Sequence, residues 1–110
     1  MDKLDALNCF SALSQQTRLD VFRLLVKAGA QGLLSGEIGE KLEVRQNTMS
    51  ANLAVLLNSG LVRNERQGRT IRYYADFDAM RGLLGFLMED CCGGRSELCQ
   101  PVIDEIICAC

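Results

Sequence analysis

Gln46-Asn47-Thr48-Met49-Ser50-Ala51-Asn52-Leu53-Ala54-Val55-Leu56-Leu57-Asn58-Ser59-Gly60 is the stretch on which the fold turns. Met49, Leu53, Leu56 and Leu57 recur at three-to-four spacing, with Val55 at the margin, which predicts a helix from Gln46 to about Ser59 with one apolar stripe. Gly60 stops it, because glycine takes the left-handed conformation that closes a helix at little steric cost. The opposite face offers Gln46, Asn47, Ser50 and Asn52, with Thr48 near the helix start and Arg45 just before it. Amide and hydroxyl groups both donate and accept, so such a face can read base edges and phosphates.

Upstream, Ser35 is placed to cap a short helix with Ile38 and Leu42 inward, and Glu43-Val44-Arg45 separates it from the longer one. Two short helices about a three-residue turn match a helix-turn-helix, whose second member lies in the DNA major groove. Farther upstream, residues 4–13 set Leu4, Leu7, Phe10 and Leu13 on one face of an amphipathic helix. Ser14 is expected to cap a second helix through Leu19, Val21, Phe22, Leu24, Leu25 and Val26, ending at Gly29.

Downstream, residues 61–66 and 70–75 alternate around Gln67-Gly68-Arg69 and predict a two-stranded hairpin. Arg66 and Arg69 flank its turn and Arg72 lies on its second strand, where arginines can reach phosphate or a neighbouring minor groove. A lone hairpin is marginal in water, so its apolar side must pack on the helices. Asp76 then caps a helix from Phe77 to about Asp90 with Met80, Leu83, Leu84, Leu87 and Met88 in a broad stripe. That stripe, like the one on the first helix, exceeds what a small domain can cover alone. The first and last long helices are therefore expected to pair with symmetry mates in a two-fold dimer. The fold class expected is mainly α (α+β): a winged helix-turn-helix with a two-stranded β-hairpin wing, dimerising through those two helices.

At 110 residues the chain is one domain with a modest core. Apolar residues make up 48% and charged ones 24%, the balance of a globular chain rather than a disordered one. No apolar run approaches the ~18 residues that span a bilayer, and Met1-Asp2-Lys3-Leu4-Asp5 lacks the basic start and apolar block of a signal peptide. No membrane partner is expected, and a cytoplasmic location is. Charge is uneven: residues 1–43 carry a net −1, residues 44–75 a net +4, and residues 76–110 a net −5. Phosphate attraction acts over about 8–10 Å, so a basic centre between acidic ends still suits nucleic acid despite the acidic total.

Six cysteines in a reducing compartment point to metal or metalloid binding, or redox chemistry, before disulfides. Cys91, Cys92 and Cys99 sit in a glycine-hinged segment, Glu89-Asp90-Cys91-Cys92-Gly93-Gly94-Arg95-Ser96-Glu97-Leu98-Cys99. Three thiolates without histidine suit a soft, trigonal ion better than tetrahedral zinc. Cys9, beside Phe10, reads as a core or interface residue. Cys108 and Cys110 follow a short amphipathic helix expected from Pro101 to Ile107, with Pro101 in its first turn. That pair is a secondary candidate for a dicoordinate thiophilic ligand, or an incidental one. No Cys-x-x-Cys motif supports a thiol oxidoreductase, and without histidine there is no serine–histidine or cysteine–histidine pair. The chain is expected not to be an enzyme.

Three blocks in order carry a family resemblance: Ala12-Leu13-Ser14-Gln15-Gln16-Thr17-Arg18-Leu19, then Gln46 to Leu56 with Ser59-Gly60-Leu61-Val62, then Arg66-Gln67-Gly68-Arg69-Thr70-Ile71-Arg72-Tyr73-Tyr74. Over essentially residues 4–92 the chain resembles the ArsR/SmtB family of metal-sensing winged-helix repressors. Cys91-Cys92 with a nearby third cysteine looks like the arsenic-responsive members whose site follows the last helix. The resemblance implies a homodimer that binds double-stranded operator DNA ahead of an arsenic-resistance operon. Trivalent arsenic, or antimony or a methylated trivalent arsenical, would release it by binding Cys91, Cys92 and Cys99. Residues 1–92 would form the DNA-binding and dimerisation domain and 93–110 a cysteine-containing tail. Arg45, Gln46, Asn47, Thr48, Ser50, Asn52, Arg66, Arg69 and Arg72 would meet DNA. The reading helix carries no Lys or Arg after Arg45, so affinity should lean on the wing and on amides. The cysteine pair that other arsenic sensors carry within the helix-turn-helix is absent, as are the histidines of zinc and nickel sensors. A thiol-based redox-sensing repressor and a cadmium or lead sensor of the same fold are the alternatives.

Overall fold

The computed structural model describes residues 1–89 and 91–106, the side chains of Cys91 and Cys92 excepted. Six α-helices and three strands follow in the order α1 (Lys3–Leu13), α2 (Gln16–Ala28), β1 (Leu33–Leu34), α3 (Ser35–Leu42), α4 (Gln46–Ser59), β2 (Val62–Gln67), β3 (Thr70–Ala75), α5 (Phe77–Leu87) and α6 (Ser96–Ile106). The winged helix-turn-helix fold is present, with one addition. The wing belongs to a three-stranded antiparallel sheet ordered β1-β3-β2, in which Leu33 pairs with Tyr73 and Val62 with Ala75. A two-residue strand has no readable alternation, so the sequence showed only the hairpin.

The core gathers where the helices meet the base of the wing: Val21, Phe22 and Leu25 of α2, Ile38 of α3, Met49, Leu53 and Leu56 of α4, and Leu61. The Gln46–Ser59 stripe is thus buried as its spacing required, with Leu57 partly buried and Val55 exposed. Gly60 closes α4 in the left-handed region at φ 86°.

Two of the expected N-caps are placed differently. Gln15, not Ser14, caps α2: its side chain accepts from Arg18 N at 2.9 Å. Ser14 instead donates its hydroxyl to Ser11 O at 2.8 Å, finishing α1. Ser35 is the first residue of α3 rather than its cap, and the Leu34 N–H donates to Glu37 Oε1 at 2.9 Å. Asp76 caps α5 as expected, accepting from Ala79 N at 3.0 Å.

On α1 the buried face is the small one, Ala6, Cys9 and Ala12, which lets the helix lie close against α2 and α4. Leu4, Leu7 and Phe10 are left exposed. On α5 only Leu83 is fully buried, and Phe77, Leu84 and Leu87 are exposed. This helix ends at Leu87, with Glu89 N folding back to Phe86 O at 3.3 Å. The C-terminal helix is longer than expected: α6 begins at Ser96 and encloses Pro101, which removes one internal hydrogen bond. The sequence placed Pro101 at a helix start because that is where its missing donor matters least. Leu98, Val102, Ile103 and Ile106 of α6 are exposed.

Candidate nucleic-acid interface

The turn between α3 and α4 sets the pose of the reading helix. Glu43 ends α3 with a left-handed backbone, φ 55° and ψ 45°, and Val44 N donates back to Gly39 O at 3.0 Å. Gly39 is buried, and a Cβ there would stand 3.0 Å from Val44 O, so the turn closes this tightly because position 39 lacks a side chain. Gln46 Nε2 donates to Ser35 Oγ, tying the first turns of the two helices.

No side chain caps the start of α4 at Arg45. The Gln46 and Asn47 N–H groups and the positive end of its dipole are therefore left for an anion such as phosphate. Arg45, Gln46, Asn47, Thr48 and Ser50 are all exposed on this side. Asn47 Oδ1 accepts from Thr48 N at 2.8 Å, which fixes its amide at the helix start. Ala51 and Ala54 continue the exposed strip one turn on, and their small side chains allow close approach to a groove. Sequence reasoning missed these two alanines; their spacing from Asn47 and Ser50 was the available signal.

Asn52 is not on that face. It is 8% exposed and lies among Met49, Leu53 and Leu56. Its Oδ1 accepts from Arg18 Nη1 at 3.3 Å and its Nδ2 donates to Thr48 O at 3.1 Å. The assignment of Asn52 to DNA is therefore corrected. A buried polar side chain must find partners inside the fold, and polarity alone does not reveal on which side of a helix they lie.

The wing tip projects the remaining cations. The turn passes through Gly68 at φ 66°, and Arg66 Nε donates to Gly68 O at 3.4 Å. Arg69, beside the turn, is exposed. Arg63 lies over the Tyr74 ring at 4.3 Å, a cation–π contact across the paired strands. Arg72 is tied to its surroundings: Nε donates to Gln67 Oε1 at 3.0 Å and Nη1 to Gln31 O at 3.2 Å. Its guanidinium braces the wing against the loop before β1. Between wing and helices runs an open cleft of about 620 Å³, lined among others by Ser35, Glu40, Gln46, Ser50, Arg69 and Ile71. Arg69 of the wing and Gln46 and Ser50 of the reading helix therefore line one and the same cleft.

The cysteine region is separate from this face. Cys91–Gly94 form a 3-10 turn that packs against α6, with Gly93 and Gly94 at φ 53° and 87°. Cys99 lies in the first turns of α6, half-buried, and its Sγ donates to Ser96 O at 3.7 Å. The side chains of Cys91 and Cys92, and all of Cys108 and Cys110, lie outside the described residues. Among the described residues no group of three or more candidate ligands gathers. Along the backbone, Cys91 and Cys92 fall on the turn and Cys99 on the helix that packs against it. Cys9 is fully buried under α4, with its Sγ donating to Ser59 O at 3.6 Å. Burial first, and the Asp5 carboxylate second, push its thiol pKa up.

A helix-turn-helix domain model matches residues 13–65. YbzH of Bacillus subtilis strain 168, an HTH-type transcriptional regulator, is 29% identical over 76% of this chain and 96% of its own length. Among solved structures, HlyU from Vibrio cholerae N16961, also solved in a reduced form, is 29% identical with a TM-score of 0.63, over 79% of this chain and 97% of that one. The homodimeric winged helix-turn-helix DNA-binding domain of Mb0332 from Mycobacterium bovis, an ArsR-family candidate, is 28% identical with a TM-score of 0.61, over 78% of this chain and 80% of that one. The chain is similar to winged helix-turn-helix transcriptional regulators, an ArsR-family candidate among them. The relatives are DNA-binding regulators rather than enzymes. Among the described residues, no helix is long and apolar enough to cross a membrane.

Proposed function

We propose that this protein works as a homodimeric repressor that holds double-stranded operator DNA and lets go when trivalent arsenic binds Cys91, Cys92 and Cys99. The observation that carries DNA reading is the shared exposure of Gln46, Asn47, Thr48 and Ser50 beside Arg45, Arg66 and Arg69. The amide and hydroxyl strip would enter the major groove while the wing arginines neutralise phosphate. The exposed leucines of α1 and α5, and the homodimeric Mb0332 domain, support pairing. Pairing would space two reading helices by about one helical turn of DNA, ~34 Å.

The triad follows α5 directly, so drawing three sulfurs together would pull the α6 segment against the end of that helix. A coupling of 1–3 kcal/mol would weaken operator binding by roughly 5–150-fold. Arsenite titration of the operator complex tests this, with Cys91, Cys92, Cys99, Cys108 and Cys110 each changed to serine. Loss of response at the first three alone supports the triad, and a retained response in Cys91→Ser and Cys92→Ser removes it. The regulated genes would be an arsenic-resistance operon, and antimonite or a methylated trivalent arsenical could take the same sulfurs.

A second reading, a thiol-based redox-sensing repressor, draws support from the likeness to HlyU, for which a reduced form was solved separately. Peroxide that releases DNA from ion-free protein would favour it. Release by cadmium or lead but not arsenite would favour a heavy-metal sensor instead.

A further inference from the structure

We infer that Arg18, which stands away from the exposed reading face, is a positioning residue that clamps the reading helix α4 to α1 through Asn52; this rests on the DNA-reading assignment above. Arg18 lies on α2 and its guanidinium reaches both neighbouring helices. Its Nε donates to Ala12 O at 2.6 Å and its Nη1 to Asn52 Oδ1 at 3.3 Å. Ala12 O is one of the last carbonyls of α1, which have no partner inside their own helix. A guanidinium there satisfies that acceptor and sits at the negative end of the helix dipole. Asn52 is the buried polar side chain among the described core residues. Its Nδ2 is spent on Thr48 O at 3.1 Å, so its amide is held in one orientation and its Oδ1 is aimed at Arg18.

A second tether joins the same two helices farther along. Cys9 Sγ of α1 donates to Ser59 O at the end of α4, 3.6 Å away. Asn52 and Ser59 are about 10 Å apart along the axis at 1.5 Å per residue. One tether leaves a helix free to pivot, whereas two at that separation set its direction. The exposed reading side chains therefore inherit their angle from α1, the helix whose other face carries exposed Leu4, Leu7 and Phe10. Whatever holds α1 in the dimer thereby holds α4. A lysine could not replace Arg18, because an ammonium lacks the planar fork that meets two acceptors in fixed geometry.

The test is a double-mutant cycle on DNA binding, with thermal melting as the control for folding. Full-length wild type, Arg18→Lys, Asn52→Ala and the double variant are titrated with a duplex that wild type selects from a random pool, and with an unrelated duplex of equal length. The clamp predicts that each single variant loses about tenfold in affinity for the selected duplex and less than twofold for the unrelated one. The double variant is then no weaker than the weaker single. Asn52→Asp, which keeps an acceptor for Arg18 and gives up the bond to Thr48 O, loses less than Asn52→Ala; the two carry the test if Arg18→Lys melts early. Additive losses, equal losses on both duplexes, or no loss overturn the clamp. If wild type selects no duplex, the DNA-reading assignment is what fails. The clamp is then judged by amide hydrogen exchange along α4 in the free protein: faster exchange in both single variants upholds it, and unchanged exchange overturns it.

Discussion

At the scale of single residues, chemistry that looks alike in the sequence divides by what surrounds it. Arg69 and Arg72 stand three positions apart on the wing, yet Arg69 is exposed at the tip while Arg72 is bonded to Gln67 and Gln31. Arg69→Ala should weaken DNA binding across all sequences and lower the slope of log affinity against log salt by about 1. Arg72→Ala should chiefly destabilise the fold, by about 1 kcal/mol for the lost hydrogen bonds. Binding at several salt concentrations, with thermal melts, distinguishes the two. Cys9 provides a second case. Its thiol pKa is raised above 9.0 by burial and then by Asp5, so the folded chain keeps the proton that the unfolded chain releases. The stability tied to this group is complete below pH 9.0 and is lost as pH rises through the folded value. Melting temperature should therefore fall more steeply above that pH in wild type than in Cys9→Ala. A thiol so placed should also alkylate at pH 8 roughly tenfold more slowly than half-buried Cys99, as peptide mapping by mass spectrometry would read.

At the scale of elements, the helices were legible and one strand was not. The apolar spacing of α4, Gly60 after it and Asp76 before α5 acted locally, so they could be read without knowing what they packed on. The Leu33–Leu34 strand exists only because β3 lies beside it, and Gly32 makes that approach possible. Gly32 has φ 58°, and a Cβ would collide with Tyr73 O and the Tyr74 ring. Gly32→Ala should cost about 2 kcal/mol or more, combining backbone strain with overpacking, and denaturant titration would measure it. Glu43 shows the opposite sign. A non-glycine residue held at φ 55° bears steric strain that glycine does not. Glu43→Gly should leave the melting temperature unchanged or raise it by a few degrees, despite the added chain freedom, and a fall of several degrees would show that the Glu43 side chain matters to the turn. The candidate interface was legible to the same degree: Arg45, Gln46, Asn47, Thr48 and Ser50 lie exposed as read, whereas Asn52, within the same polar run, turned inward.

At the scale of the whole molecule, the chain is drawn out, with α6 packed on the turn before it rather than on the helical core. The radius of gyration is 15.5 Å and the extents are 50 × 32 × 24 Å, against about 13 Å for a compact domain of this length. Leu4, Leu7 and Phe10 on α1 and Leu84 and Leu87 on α5 are exposed, and the proposed dimer would cover them. Leu7→Glu combined with Leu84→Glu should convert a dimer to a monomer and cut operator affinity at least tenfold, because two half-sites could no longer be held at once. Light scattering after size exclusion reads the first effect and a DNA titration the second. A monomeric wild type would remove the premise.

Local pattern alone settled the number and order of the long helices, the hairpin and the turn that makes a helix-turn-helix, since spacing, caps and glycines act over a few residues. Packing decided the rest: which face of α1 is buried, that β1 joins the wing, that Arg72 bonds to Gln67 and Gln31, and that Asn52 turns inside the fold. Those outcomes depend on partners distant in the chain, as Arg18 is from Asn52. A side chain's chemistry names what it can bond to, and only the folded neighbours determine which partner it meets.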